Sequence, residues 1–159
     1  MNISIICVGK IKEKFLKSAI DEYSKRLSKY CKLNIIEVPD EKTPEKASEK
    51  EQNLIKEKEG LKILKHIKDN HFVIALDLKG NSISSEDLSH LIEGCEINGN
   101  STIDFIIGGS LGLYPSILKR ANYKLSFSKL TFPHQLFRVM LLEQIYRSFR
   151  IICGEPYHK

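Results

Sequence analysis

No stretch of eighteen consecutive apolar residues occurs in this chain of 159 residues, so no segment reads as a membrane-spanning helix. The opening run Met1 to Lys10 has neither a basic leader nor a small-residue cleavage site, and it reads as the first strand of a cytoplasmic protein. Cysteine is sparse. Cys7, Cys31, Cys95 and Cys153 lie far apart, which argues against a disulfide scaffold and predicts buried thiols. Neither C-x-x-C nor H-E-x-x-H is present, so no metal is expected. The dinucleotide fingerprint G-x-G-x-x-G and the P-loop are both missing. No nucleophile elbow is read either, which disfavours a serine hydrolase.

What is present is an ordinary globular balance of 42% apolar and 28% charged residues. The net charge of +5 is compatible with an anionic partner without requiring one. Short apolar runs at 3–8, 33–38, 72–78, 102–107 and 123–126 read as strands. Between them, apolar residues recur at helical spacing. Phe15, Leu16, Ala19, Ile20, Tyr23 and Leu27 predict a helix over 13–30. Leu54, Ile55, Leu61, Ile63, Leu64 and Ile67 predict a second from about Pro44 to Lys68. Further helices are expected from Ser84, with serine as its cap, to near Gly94, over 115–120, and from Pro133 to about Arg150. Lys79-Gly80-Asn81 reads as a turn. This alternation predicts an α/β fold with a mainly parallel sheet flanked by helices, as one domain over 1–159.

Three segments at predicted strand ends could meet a ligand. Ile106-Ile107-Gly108-Gly109-Ser110-Leu111-Gly112 leads a strand into glycines that let backbone approach a nucleotide-like molecule. Phe127-Ser128-Lys129-Leu130-Thr131-Phe132-Pro133-His134 joins the last strand to the last helix, and Leu76-Asp77-Leu78-Lys79-Gly80 ends a third. Asp77 suits either a ribose or a solvated strand end. The last helix carries apolar residues around more than one face, which favours a symmetric dimer. Residues 127–159 hold a net +3, with arginines and histidines suited to phosphate or RNA backbone. Taken alone, the tail Gly154 to Lys159 reads as fraying.

Together, Ile106 to Gly112, Ser126 to His134, Glu143-Gln144-Ile145-Tyr146-Arg147 and Pro156-Tyr157-His158 resemble the small SPOUT-class methyltransferases that modify a pseudouridine in large-subunit (23S) ribosomal RNA. The resemblance covers essentially the whole chain. It implies S-adenosylmethionine as donor, methylation of a pseudouridine N3 on the assembled ribosome, a homodimer, and a C-terminal trefoil knot. It implies no separate RNA-binding domain. Cofactor contacts carry over to Leu76, Gly108, Phe127, Ser128, Lys129, Leu130, Thr131 and Phe132. Within the terminal motifs, His158 is the candidate base, Tyr157 would stack on or hydrogen-bond the substrate base, and Arg147 would hold phosphate or offset charge. The rival expectations are a ribosome-associated RNA-binding module without catalysis and, less favoured, a nucleotide-binding oxidoreductase.

Overall fold

Five strands carry the uninterrupted apolar runs and form one sheet in the computed structural model, which describes residues 1–159. They are β1 (Asn2–Val8), β2 (Lys32–Val38), β3 (Phe72–Ser82), β4 (Thr102–Ile107) and β5 (Tyr123–Ser126). Every pairing is parallel, in the order β2-β1-β4-β3-β5. A parallel sheet needs cover on both faces. Helices α1 (Lys14–Leu27), α3 (Ser85–Ile97) and α5 (His134–Ile152) pack over Ile3, Ile5, Ile74 and Phe105. Helices α2 (Glu49–Leu64) and α4 (Pro115–Arg120) cover Ile6, Val8, Val73 and Ile106. Alternate residues of one strand therefore feed two separate cores. Each fully buried Ile or Leu is worth roughly 1.5–3 kcal/mol of burial.

Several expected boundaries move, each for a local reason. Helix α2 starts at Glu49, not Pro44, because Ser48 and Glu51 close a capping box: Ser48 Oγ accepts from Glu51 N–H at 3.2 Å and Glu51 accepts from Ser48 N–H at 2.7 Å. It also stops at Leu64, short of Lys68. The expected serine cap of α3 is present, again as a box, between Ser84 and Asp87. That helix runs on past Gly94 to Ile97. Lys79-Gly80-Asn81 is not a turn. β3 continues through it with a register shift against β5 between Leu76 and Asn81, and a Cβ on Gly80 would lie 2.7 Å from the Lys124 backbone.

The apolar stripes need correction too. Phe15 lies outside the core with 69% of its surface exposed, while Leu16 and Leu27 point inward. Leu54 and Leu61 are half exposed, and Ile55 and Ile63 carry the buried side of α2. Cys153 is exposed, against the expectation of buried thiols; the other three cysteines are buried free thiols. Burial pushes the thiols of Cys7, Cys31 and Cys95 up to about 11, so they stay protonated.

One buried cation ties the sheet to α5. Arg138, 1% exposed, donates to Glu37 Oε2 at 2.8 Å and to the carbonyls of Val8 and Gly9 at 3.0 and 2.6 Å. Glu37 also accepts from Ile11 N–H at 2.8 Å. Burial alone would raise the Glu37 carboxyl, but Arg138 and this N–H more than offset that and hold it below its ordinary value.

Candidate functional site

Because β4, β3 and β5 are neighbours and parallel, their carboxyl-end segments meet at one edge of the sheet. There Leu76–Lys79, Ile107–Leu113 and Leu125–Ser128 line a cavity of about 420 Å³. Leu130, Thr131, Phe132, His134 and Phe137 complete its wall. That volume lies within the range of small-molecule and cofactor sites, about 300–1,000 Å³. The lining is apolar side chain and loop backbone, with Asp77, Lys79 and His134 as its ionisable groups. Burial and the Arg138 charge lower the affinity of His134 for a proton, which keeps the ring neutral.

The glycine loop is built by close approach. A Cβ on Gly108 would lie 2.9 Å from the Gly112 backbone, and one on Gly109 would lie 3.0 Å from Glu59 Oε2. Gly112 takes φ +85°, a conformation that side chains strain. Gly108-Gly109-Ser110-Leu111-Gly112 does spell G-x-S-x-G, against the expectation that no such elbow is present. The elbow geometry is absent, however: no non-glycine residue has positive φ, and no helix follows Ser110 directly, the next starting at Pro115. Glu59 of α2, 5% exposed, accepts from Glu41 N–H at 3.1 Å beneath this loop. Its burial, with Asp40 nearby, raises its carboxyl above the ordinary value.

Of the cofactor residues expected from sequence, Leu76, Gly108, Phe127, Ser128, Leu130, Thr131 and Phe132 all line this cavity. Lys129 is exposed and does not. Leu113, Leu125 and Phe137 were not foreseen, since an apolar residue at helix or strand spacing reads first as core. Nor was Glu59, which no spacing connects to a loop fifty residues downstream.

The three catalytic candidates gather elsewhere. Arg147 forks onto Glu143, His158 Nε2 lies 2.6 Å from Glu86, and Arg147 lies 3.3 Å from His158 Nδ1. One neutral tautomer satisfies both histidine contacts: Nε2 donates to Glu86 and Nδ1 accepts from Arg147. Tyr157 packs edge-on against Tyr146, with centroids 5.0 Å apart, beneath the guanidinium of Arg147. Glu155 ties the tail to Lys29, Tyr30 and Arg150. The tail is thus held and does not fray. This cluster borders a second cavity, of about 460 Å³, that includes Glu143 and Gln144 and shares Leu125–Ser128 and Phe132 with the first. Arg138, Arg147 and Arg150 are each spent on a carboxylate, so residues 127–159 present less free positive charge than their composition suggests.

The chain matches the family described as predicted SPOUT methyltransferase over residues 1–158. It is 80% identical to the ribosomal RNA large subunit methyltransferase H of Clostridium botulinum strain Kyoto (type A2), over the whole of both chains. The enzyme of that name from strain Alaska E43 (type E3) is 70% identical, again over both full lengths. A solved structure, a probable methylase family protein from Haemophilus influenzae, superposes with a TM-score of 0.56 at 13% identity, covering 99% of this chain and 70% of its own, and so bears on the fold alone.

Proposed function

The chain belongs to the SPOUT methyltransferase family, and from that premise we propose that it uses S-adenosylmethionine to methylate N3 of a pseudouridine in 23S ribosomal RNA on the assembled ribosome. The observation that carries this reading is the meeting of three strand-end segments around one cavity, in a chain that matches large-subunit methyltransferases end to end. The residues present fit the donor. Apolar walls from Leu76, Leu125 and Phe137 suit an adenine, Asp77 suits a ribose hydroxyl, and the close-packed Gly108–Gly112 backbone can approach without side chains in the way. Leu76, Gly108 and Phe127–Phe132 are the proposed cofactor contacts, with Lys129 contributing backbone only. The trefoil knot that the family implies would join these segments.

When bound, the donor supplies a methyl group on a sulfonium, open to in-line displacement. The chain's own task is then to position the substrate and remove a proton. The pseudouridine N3 is protonated at neutral pH, and His158 is the proposed base. Its Nδ1 lone pair faces Arg147. Displacing that contact frees Nδ1 to take the N3 proton, while Glu86 at Nε2 stabilises the resulting imidazolium. Tyr157 would hold the base by stacking, and Arg147 would offset charge developing on it. Because the tail lies outside the donor cavity of its own protomer, it would serve the cavity of a second chain in a cytoplasmic homodimer.

Labelled donor and large ribosomal subunits lacking the modification test this. The intact protein should bind the donor stoichiometrically and label one pseudouridine. Removal of Tyr157–Lys159 should abolish transfer while sparing donor affinity, and His158→Ala should cost about 10²–10⁴-fold. Ribosome binding without donor binding would instead make the protein a non-catalytic RNA module. Full activity after truncation would remove the tail from the mechanism.

A further inference from the structure

The segment that enters α1 makes two choices that local stability disfavours. Lys10, Lys12, Lys14 and Lys17 are all exposed within eight residues, against a single acid, Glu13. Lys14 and Lys17 occupy the opening turn of α1, which contains no acidic residue and whose N-cap Glu13 makes no side-chain cap bond. The positive end of a helix favours acids there. Helices α2 and α3 obey that rule, with Glu49 and Glu51 and with Glu86 and Asp87, while α5, like α1, opens without an acid. In the same turn Phe15 holds 69% of its surface in solvent. Neither choice is explained by packing.

Placement supplies a reason. Gly9, at the end of β1, sits where a Cβ would lie 3.9 Å from His134, and Val8 lies 3.3 Å from the Cβ position of Gly109. His134 and Gly109 both line the donor cavity. The segment is also rigidly based. Arg138 grips the carbonyls of Val8 and Gly9, Ile11 is buried, and its N–H is held by Glu37. Glu37 faces Lys10 but is already paired with Arg138, and Asp40 is the other acid near His134. By contrast, the arginines of α5 are committed to ion pairs.

We propose that Lys10–Lys17 is an RNA-docking rim beside the donor cavity, where Lys12, Lys14 and Lys17 contact phosphates and Phe15 stacks on an unpaired base. This rests on the reading of ribosomal RNA as substrate. A polyanion satisfies the lysines, and an exposed ring beside them is the pairing used to hold single-stranded RNA. The rim would give a chain without an added RNA-binding domain a fixed place from which to present a loop nucleotide to the cavity.

The test measures binding of the intact protein to large ribosomal subunits across a salt series, with methyl transfer followed separately. Lys12→Gln/Lys14→Gln/Lys17→Gln should weaken binding at least tenfold and reduce the log–log salt slope by about one per lysine. Phe15→Ala should weaken binding about tenfold with the slope unchanged. Donor affinity and the melting temperature should stay as in the parent. Lys65→Gln/Lys68→Gln, just before β3 at the opposite end of the sheet, is the control and should leave binding unchanged. A photoreactive analogue at position 15 should crosslink to RNA. An unchanged salt slope in the triple variant, an equal loss in the control, or a crosslink to ribosomal protein alone overturns the rim. If the rim variants bind poorly yet the parent transfers no methyl group, the failure lies with the proposed reaction and not with the rim.

Discussion

At the scale of single residues, the least expected side chain is Glu59. It places a carboxyl under the glycine loop, with Oε2 where a Cβ on Gly109 would crowd it and Oε1 accepting from Glu41 N–H. Its carboxyl is pushed up chiefly by burial, with Asp40 adding and the Glu41 N–H opposing. The folded chain therefore holds this proton more tightly than the unfolded chain does. The stabilisation from this group is complete below the ordinary carboxylate value and is lost as pH rises through the raised one. Glu59→Gln keeps the acceptor and removes the charge. It should raise the melting temperature at pH 7 relative to the parent, with little gain at pH 4. Equal differences at both pH values would show that Glu59 is not held in a desolvated site. The candidate site was legible where residues share a segment, as in Gly108–Gly112 and Phe127–Phe132. Phe137, which lines the cavity, and Glu59, which lies under the glycine loop, were not, because both come from helices whose spacing announces only burial.

Among the elements, β4, α4 and β5 have the limits read from sequence, since each is short, apolar and closed by glycine, proline or a polar break. The misread elements are those in which a distant contact decides. The 79–81 segment has the composition of a turn, yet β5 offers its backbone as a pairing partner, and the strand continues. Arg138 shows the same in reverse. In sequence it belongs to a basic stretch, but in the fold it joins α5 to the ends of β1 and β2. Arg138→Met should cost about 3–5 kcal/mol in urea denaturation, because the Val8 and Gly9 carbonyls lose their donor and Glu37 its partner. A loss below about 1 kcal/mol, as for an exposed pair, would mean that the three elements hold together without it.

For the whole molecule, α5 lies between α1 and α3, and Leu141, Leu142, Ile145 and Phe149 turn into that core. Much of the apolar coverage that suggested a dimer is therefore internal. Of the large apolar residues of α5, Leu136 stays 39% exposed, and at the strand-end cavity Leu78, Leu130 and Phe132 are 57%, 70% and 36% exposed. Neighbouring apolar groups left in water at this scale favour self-association over isolated surface residues. Sedimentation at micromolar concentration should give about 36 kDa, twice the 18.2 kDa chain. Leu130→Glu/Leu136→Glu should shift it to the mass of one chain. A monomer that transfers methyl groups at the full rate would sink the shared-site arrangement.

Periodicity and breaks in the chain were enough to determine the parallel α/β class, the five strands and the three segments that reach the cavity, because burial on both faces of a sheet leaves unbroken apolar runs. Tertiary structure decided the long-range part of which charges remain free: Arg138 finds Glu37 about a hundred residues away, whereas Arg147 and Arg150 pair within five residues, with Glu143 and Glu155. Composition counts the arginines of the C-terminal segment as a basic surface, and the fold neutralises them. It leaves the lysines at the entry to α1 unpaired beside the cavity, a juxtaposition set by where β1 ends against His134 and Gly109 and written in no local spacing.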